Sequence, residues 1–435
     1  MHTRKGSDNF DFFEYLHKRR ERISSITDAD GVRENHFPQM TLKGFSNMMS
    51  RLFNWLEEWL AIEEFKKQRY QEEVMLVKAY NRRGLYKLAN SHAKILEKNI
   101  SGDSQLDLEN QKALSNLYHT QFYSDNPVKY QDITLYKKLI ESYTNSIFER
   151  LKMYQVGMIN WGNLKKIDFT AEIEFIKNTV PHCSQSETIH VFNKLINLIE
   201  NQEVNCIKNI VETLKCKKIK INSELHTLLI LYCVQYSIKG WMSEKIKDKN
   251  LIGEIYIYAL NNKVFESDGK IPKVRFGNII STLSLIKGYG WTNKLIDNYI
   301  KLVDCINYED TLKLSKAQNC FQNERYDEII HLINNIQGEN IAQKNQISLL
   351  HIIGLFKSKK IDYEILNNKI HNYKRYLKRA KKTLTIKSYN SYFNSVSLID
   401  QMSQAKFNNK EVDVGKYQDL IFRSWFNKEI KKHGK

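Results

Sequence analysis

The sequence predicts an all-α protein, a solenoid of stacked helical hairpins, on three observations. Apolar residues recur at steps of three and four along most of the chain, which is the period of an amphipathic helix. Only 17 glycines and 4 prolines interrupt the 435 residues, and the prolines fall between the periodic segments. The chain is longer than one compact core usually is, so it forms either several domains or an array whose units pack only on their neighbours.

The composition is that of a folded protein, with 42% hydrophobic and 27% charged residues. No stretch reaches the roughly 18 consecutive apolar residues of a membrane span. The first residues lack the apolar run of a signal peptide, so we expect a cytoplasmic protein without a membrane partner. The six cysteines contain no CxxC pair, which argues against a disulfide framework or a zinc site and favours buried free thiols.

The net charge of +18 raises the odds of a polyanionic partner. Lysine, asparagine and isoleucine are abundant along the whole chain, however, and a biased nucleotide composition would produce the same excess. The charge therefore indicates nucleic acid only where it is concentrated on one surface.

The first strongly apolar helix follows Thr41, which is suited to cap it. Its apolar residues recur at alternating threes and fours: Leu42, Phe45, Met49, Leu52, Leu56 and Trp59. Phe53, Trp55 and Leu60 widen this stripe. So wide a stripe predicts a core helix packed on more than one side. The alternative is an exposed aromatic binding face.

Two amphipathic helices then meet at Gly84, within the stretch from Leu76 to Leu96. Glycine readily takes a positive φ at a helix end, and the small Ala89 and Ala93 allow close approach of a neighbouring helix. The order of large apolar, aromatic, glycine, aromatic and alanine residues resembles one tetratricopeptide unit.

The middle of the chain continues in helical segments. One face of the segment from Ile133 to Tyr154 is apolar, with Ile133, Tyr136, Ile140, Tyr143, Ile147, Leu151 and Tyr154. Thr170 is a helix cap, and three more helical stretches lie between Thr188 and Tyr236. Residues 260–272 form a polar, poorly periodic connection.

A repeat is clearest after Gly277. Trp291, Tyr326 and Tyr363 each open a second helix after a polar turn, and they are 35 and 37 residues apart, close to the tetratricopeptide period of about 34. The spacing around Gly84 recurs at Ala317, Cys320, Tyr326, Ile329, Ile333 and Ile336. An amphipathic segment near the end, from Tyr417 to Ile430, is predicted to cap the solenoid.

Several stretches together resemble an uncharacterised bacterial family of long, tetratricopeptide-like helical proteins. They are MTLKGFSNMMSRLFNWLEEWL, LVKAYNRRGLYKLA, FGNIISTLSLIKGYGW, CFQNERYDEIIHLI, YEILNNKIHNYKRYLKRAKK and FRSWFNKEI. The resemblance implies a TPR-like α-α superhelix of divergent repeats with terminal capping helices, and it carries no activity. We divide the chain into a region 1–162 with one hairpin at about 74–100, a divergent region 163–272, and C-terminal repeats 273–435.

Motifs of catalysis do not occur in the sequence: it has no HExxH, GxSxG, Walker loop or GxGxxG. No catalytic, cofactor-binding or metal-ligating residues are predicted. His182 and Cys183 form the one compact His/Cys pair, and they lack a recognisable third partner. An enzyme is therefore the third hypothesis.

The predicted polyanion site lies on the helical segment from Tyr363 to Lys382. Ile370, Tyr373 and Leu377 give this helix a core side, and a basic face lies beside it: Lys374, Arg375, Lys378, Arg379 and Lys382. Tyr376 is placed to stack on an unpaired base. Basic side chains also commonly solvate the outer face of a solenoid.

The sequence thus predicts a non-catalytic helical-repeat scaffold whose groove binds a partner protein or peptide. The alternative is a nucleic-acid-associated protein that uses the basic face.

Overall fold

The computed structural model describes residues 12–14, 29–103, 105–124, 132–180, 186–216, 218–358, 362–408, 417 and 419–433. These residues form almost only α-helices, which confirms the predicted all-α class. In the first half the helices are α1 (Ala29–His36), α2 (Leu42–Lys67), α3 (Gln71–Arg82), α4 (Tyr86–Ser101), α5 (Leu108–Phe122), α6 (Ile133–Lys165), α7 (Thr170–Thr179) and α8 (Glu187–Asn201).

The second half continues with α9 (Val204–Lys215), α10 (Glu224–Met242), α11 (Lys249–Asn261), α12 (Lys273–Lys287), α13 (Tyr289–Tyr299), α14 (Tyr308–Gln322), α15 (Tyr326–Ile333), α16 (Ile341–Lys357), α17 (Tyr363–Ala380), α18 (Ile386–Asn408) and α19 (Arg423–His433). Two short parallel strands, β1 (Ile271–Pro272) and β2 (Val303–Asp304), pair Ile271 with Val303. Part of the connection predicted at 260–272 is thus a strand.

The chain divides into two compact units, Met1–Phe192 and Asn193–Lys435. The division falls inside α8. The three-part division at 162/163 and 272/273 stays a prediction. Within the described ranges, no helix is both long enough and apolar enough to cross a membrane.

Helix α2 begins as predicted, because the Thr41 hydroxyl accepts a hydrogen bond from the Gly44 amide at 3.1 Å. Only one side of α2 is buried, through Phe45, Met48 and Leu52. The expectation of a helix covered on several sides is wrong from Phe53 onward, where four large apolar side chains are exposed: Phe53, Trp59, Leu60 and Ile62. Aromatic periodicity marks an apolar face, but it does not say that a neighbour covers it.

The hairpin at Gly84 is confirmed. Gly84 has a φ of +70°, and the amide of Leu85 donates to the Tyr80 carbonyl at 3.0 Å, which closes α3 with a left-handed cap. Ala89 and Ala93 are fully buried, in one cluster with α3 and with Leu117 of α5. Small side chains thus pack α4 against both neighbours, as the sequence predicts.

The apolar face predicted on α6 is mostly exposed. Ile133, Tyr136, Ile140, Tyr143, Ile147 and Tyr154 all face solvent. The first half of the helix instead packs through the adjacent face, where Leu135 and Leu139 contact Tyr118 of α5. Leu151 is partly buried against the cluster around Ile176.

In the second unit, three consecutive hairpins are α12–α13, α14–α15 and α16–α17. Their second helices begin at Tyr289, Tyr326 and Tyr363, two of the three predicted positions, while Trp291 lies two residues inside its helix. One large cluster joins α14–α19, and its members include Ile329, Ile353 and Leu377.

Helix α19 covers the end of this cluster. Trp425 packs against Phe321 and Phe356, and its indole N–H donates to the Tyr326 hydroxyl at 3.1 Å. Lys357 forms an ion pair at 2.8 Å with Glu429, which is almost fully buried.

Candidate functional site

The predicted basic face lies on α17, which is fixed to the core on its opposite side. Ile370, Tyr373 and Leu377 are buried, as the helical spacing predicts. Arg375, Lys378 and Arg379 are exposed on α17, while Lys382, which the sequence places on the same helix, lies in the turn after its end at Ala380 and is also exposed. No carboxylate among the described residues pairs with any of the four. These four residues are called the basic face below.

Lys374 does not belong to the basic face. Its ammonium group lies 2.5 Å from a carboxylate oxygen of Asp400 on α18, and only 23% of its side chain is exposed. Asp400 also accepts from the Gln404 amide at 3.1 Å. Lys374 therefore ties α17 to α18, so its charge is already neutralised by the fold.

A cavity of about 340 Å³ lies beside the basic face, between α17 and the start of α16. We call it the lysine cavity. Its polar lining includes Gln337, Lys344, Ser348, Lys369, Asn372 and Tyr376, and none of the described residues that line it is acidic. The ring of Tyr376 stacks on that of Tyr373, with centroids 6.2 Å apart and planes at 16°.

The nearby imidazole of His351 adds no charge at neutral pH. Burial, with Lys369 close by, lowers the pKa of His351 to about 4. The positive charge at the lysine cavity therefore comes from Lys344 and Lys369.

A second cavity, of about 380 Å³, crosses the first helices of the three hairpins. We call it the amide cavity. Its lining is rich in side-chain amides: Asn278, Gln318, Asn340, Gln343 and Gln346. Ser281, Thr311, Ser315 and Tyr392 add hydroxyl groups. Among the described residues that line it, Lys273 alone is charged, and Glu339 neutralises it at 2.7 Å.

Gln343 is the most constrained amide of this cavity. It is 6% exposed, and its carbonyl oxygen accepts from the backbone amide of Glu339 at 2.7 Å. Its side-chain N–H₂ group is buried and has no hydrogen-bond partner among the described residues. A buried donor without a partner costs about 1–3 kcal/mol.

Sequence reasoning missed the amide cavity and the two lysines of the lysine cavity. A signal for the amides was present, since Asn340, Gln343 and Gln346 recur every three residues at the start of one helix. Lys344 and Lys369 come from different helices and meet only through the fold.

Among the described residues, the side chains that could hold a metal ion are scattered. In the described part of the chain, no three His, Cys, Asp or Glu side chains lie together so that they could hold a metal ion. Cys233 and Cys320 are buried, while Cys216 is exposed, so the expectation of buried thiols is wrong for Cys216. His182 and Cys183 lie outside the described residues.

Comparisons of the chain with protein-family models, with curated proteins and with solved structures found no match. The two cavities and the basic face are therefore the features from which we infer a function.

Proposed function

We propose that this chain is a tetratricopeptide-like helical-repeat scaffold that binds an extended peptide segment of a partner protein in the amide cavity. The observation that carries the proposal is the row of side-chain amides across three successive hairpins, with the unpartnered donor of Gln343 among them. A cytoplasmic location and a place in the bacterial family it resembles are part of the same proposal.

The repeat is supported by the spacing of the three hairpins. The tyrosines that begin the second helices, Tyr289, Tyr326 and Tyr363, are separated by 37 residues at both steps. The first helices α12, α14 and α16 pack side by side in sequence order. Repeats of a helical hairpin that contact mainly their neighbours are the arrangement of a solenoid, in which the first helices line one continuous surface.

The chemistry of the amide cavity favours a peptide backbone over a charged ligand. A peptide presents N–H and C=O groups along its length, and each carboxamide side chain both donates and accepts. The paired Lys273 and Glu339 leave the lining without an unbalanced charge. Phe276, Leu314 and Phe422 add apolar surface for the side chains of the peptide.

Gly277 offers a direct test, because it lies on α12 at the edge of the amide cavity. A Cβ at this position would meet the Gln318 amide atoms at 3.5 Å, an ordinary contact. Gly277→Ala is thus expected to fold and to keep the cavity open, whereas the ring of Gly277→Phe would fill it. A random 12-residue peptide library would be selected on the wild-type protein, and the affinity of enriched peptides measured by fluorescence polarisation.

We expect enriched peptides to bind the wild-type protein and Gly277→Ala with similar affinity. Gly277→Phe should lower the affinity for these peptides at least tenfold, while its circular dichroism spectrum shows an unchanged helix content. A selection without enrichment, or peptides that bind Gly277→Phe as tightly as wild type, would refute peptide binding in this cavity.

A further inference from the structure

A second binding surface, distinct from the amide cavity, combines the basic face of α17 with the lysine cavity. The two lie side by side on α17. Asn372 and Tyr376 line the lysine cavity, while Arg375 follows Asn372 by three residues and Arg379 follows Tyr376 by three. Residues three apart are neighbours on a helix surface, so the cations border the cavity along the helix.

The positive charge of this surface is not neutralised by carboxylates of the described residues. Lys344 and Lys369 line the cavity, the four cations of the basic face lie beside it, and no ion pair within the described ranges involves any of the six. Lys374 on the same helix shows the contrast, because it is paired with Asp400. A row of unpaired cations leaves positive potential available to an anionic ligand.

The length of the row favours a chain of phosphates over a single anion. From Lys369 to Arg379 the helix α17 advances about 15 Å at 1.5 Å per residue, and Lys382 follows in the turn after the helix. Successive phosphates of a nucleic acid strand lie a few ångströms apart along such a line, so several cations contact several phosphates at once.

The lysine cavity adds a place for one unpaired base. Tyr376 lies in its wall, held in orientation by its stacking on the buried ring of Tyr373. Gln337 and Asn372 supply donors and acceptors for a base edge. A positively charged groove combined with an aromatic ring is how proteins bind single strands, whereas a base pair in a duplex cannot turn into a cavity of this kind.

We propose that α17 and the lysine cavity bind single-stranded nucleic acid, with phosphates on the basic face and one base in the cavity against Tyr376. This function goes beyond the proposed peptide binding and uses other residues of the second unit. Because the two sites do not share a lining residue, each is testable without the other.

The test is a fluorescence polarisation titration of the full chain with a fluorescein-labelled 12-nucleotide single-stranded RNA and the matching DNA, at several salt concentrations. We expect binding that weakens steeply with salt. The double variant Arg375→Glu/Arg379→Glu should reduce the affinity strongly. The slope of the log of the binding constant against the log of the salt concentration should become less steep by roughly two. The matched control, Lys245→Glu/Lys247→Glu, changes two exposed lysines of the same unit. It should change the steepness of the salt dependence far less.

Tyr376 separates base stacking from charge. Tyr376→Ala should lower the affinity for the single strand about tenfold or more and leave the salt dependence of binding unchanged. Tyr376→Phe should bind like the wild type because it keeps the ring. Unchanged helix content of Tyr376→Ala by circular dichroism would show that its weaker binding does not come from unfolding.

Three results would overturn the proposal. The first is the absence of strand binding at low salt. The second is an equal loss in the control pair and in the basic-face pair. The third is binding to vesicles that contain phosphatidylserine, with no binding of either oligonucleotide, which would assign the surface to a membrane.

Discussion

At the scale of single residues, buried polar groups decide how helices are joined. Asn319 is fully buried, and its amide donates to the Tyr289 carbonyl at 3.0 Å and to the Asn293 side chain at 2.9 Å. Its own carbonyl oxygen accepts from the Ser284 hydroxyl at 2.8 Å. One side chain thus connects α12, α13 and α14, because a buried amide must satisfy both its donors and its acceptor.

Glu149 of α6 gives a prediction at the same scale. It is 2% exposed and accepts from the Ser186 hydroxyl at 2.8 Å. Burial raises the pKa of Glu149 from 4.5 to about 7, against the lowering effects of Ser186, Thr188 and Arg150. Between those values the folded state holds a proton that the unfolded state has lost, so stability falls as the pH rises through this window, by roughly 3 kcal/mol in total.

Glu149→Gln removes this titration and keeps an acceptor for Ser186. We expect the free energy of unfolding, measured by denaturant titration, to be higher than in the wild type above pH 7 and to change less between pH 5 and 7. Glu141→Gln alters an exposed carboxylate on the same helix and should leave the wild-type slope in place. A Glu149→Gln protein with the wild-type slope would contradict the assignment.

At the scale of elements, the direction in which a helix packs is a separate property from its periodicity. On α6 the exposed apolar residues recur at alternating threes and fours, and in the first half of the helix the buried residues Leu135, Leu139 and Ser142 do so one position earlier. Both sets satisfy the helical period. Only the position of α5, which contacts Leu135 and Leu139, selects the buried set.

Two neighbouring residues of α6 test this orientation. Leu139 is 5% exposed and Ile140 is 49% exposed. Leu139→Ala should cost roughly 2–5 kcal/mol of stability, because it leaves a cavity against Tyr118. Ile140→Ala should change stability by about 0.5 kcal/mol or less, because the side chain already faces water.

Urea unfolding of the two variants measures both effects. The pair is matched, since each change removes a branched aliphatic side chain of the same size from adjacent positions of one helix. A cost for Ile140→Ala equal to that for Leu139→Ala would mean that the apolar face of α6 is covered.

At the scale of the whole molecule, the main contacts of each unit join elements that are close in the chain. In the second unit α14 packs on α12, α13, α15 and α16, and α16 packs on α18. Helix α19 returns to cover this group through Trp425. In the proposed solenoid, the loss of such a contact destabilises its neighbours first, since stability is shared between adjacent repeats.

Trp425→Ala tests this behaviour. The change removes a ring buried against Phe321 and Phe356 and should cost roughly 3–5 kcal/mol locally. Hydrogen exchange should become faster in α15 and α16 and stay unchanged in α3 and α4 of the first unit. Trp425→Phe, which keeps a ring and loses the hydrogen bond to Tyr326, should have a smaller effect. A loss of protection throughout the chain would contradict repeat-like stability.

The sequence by itself determined the all-α class, the caps at Thr41 and Gly84, and the core side of α17. These features depend on residues within one or two helical turns, so their spacing carries the information. The exposure of Arg375, Lys378 and Arg379 follows in the same way, because the core side of the helix is unambiguous.

Only the tertiary structure decided which apolar faces are covered and which side chains meet from distant segments. Lys374 lies at a predicted basic position, and Asp400, 26 residues away, neutralises it. Lys344 and Lys369 line one cavity from two helices, and the amides of three hairpins line the other. Helical periodicity defines directions around one axis, whereas ion pairs and cavities depend on how separate axes are placed against each other.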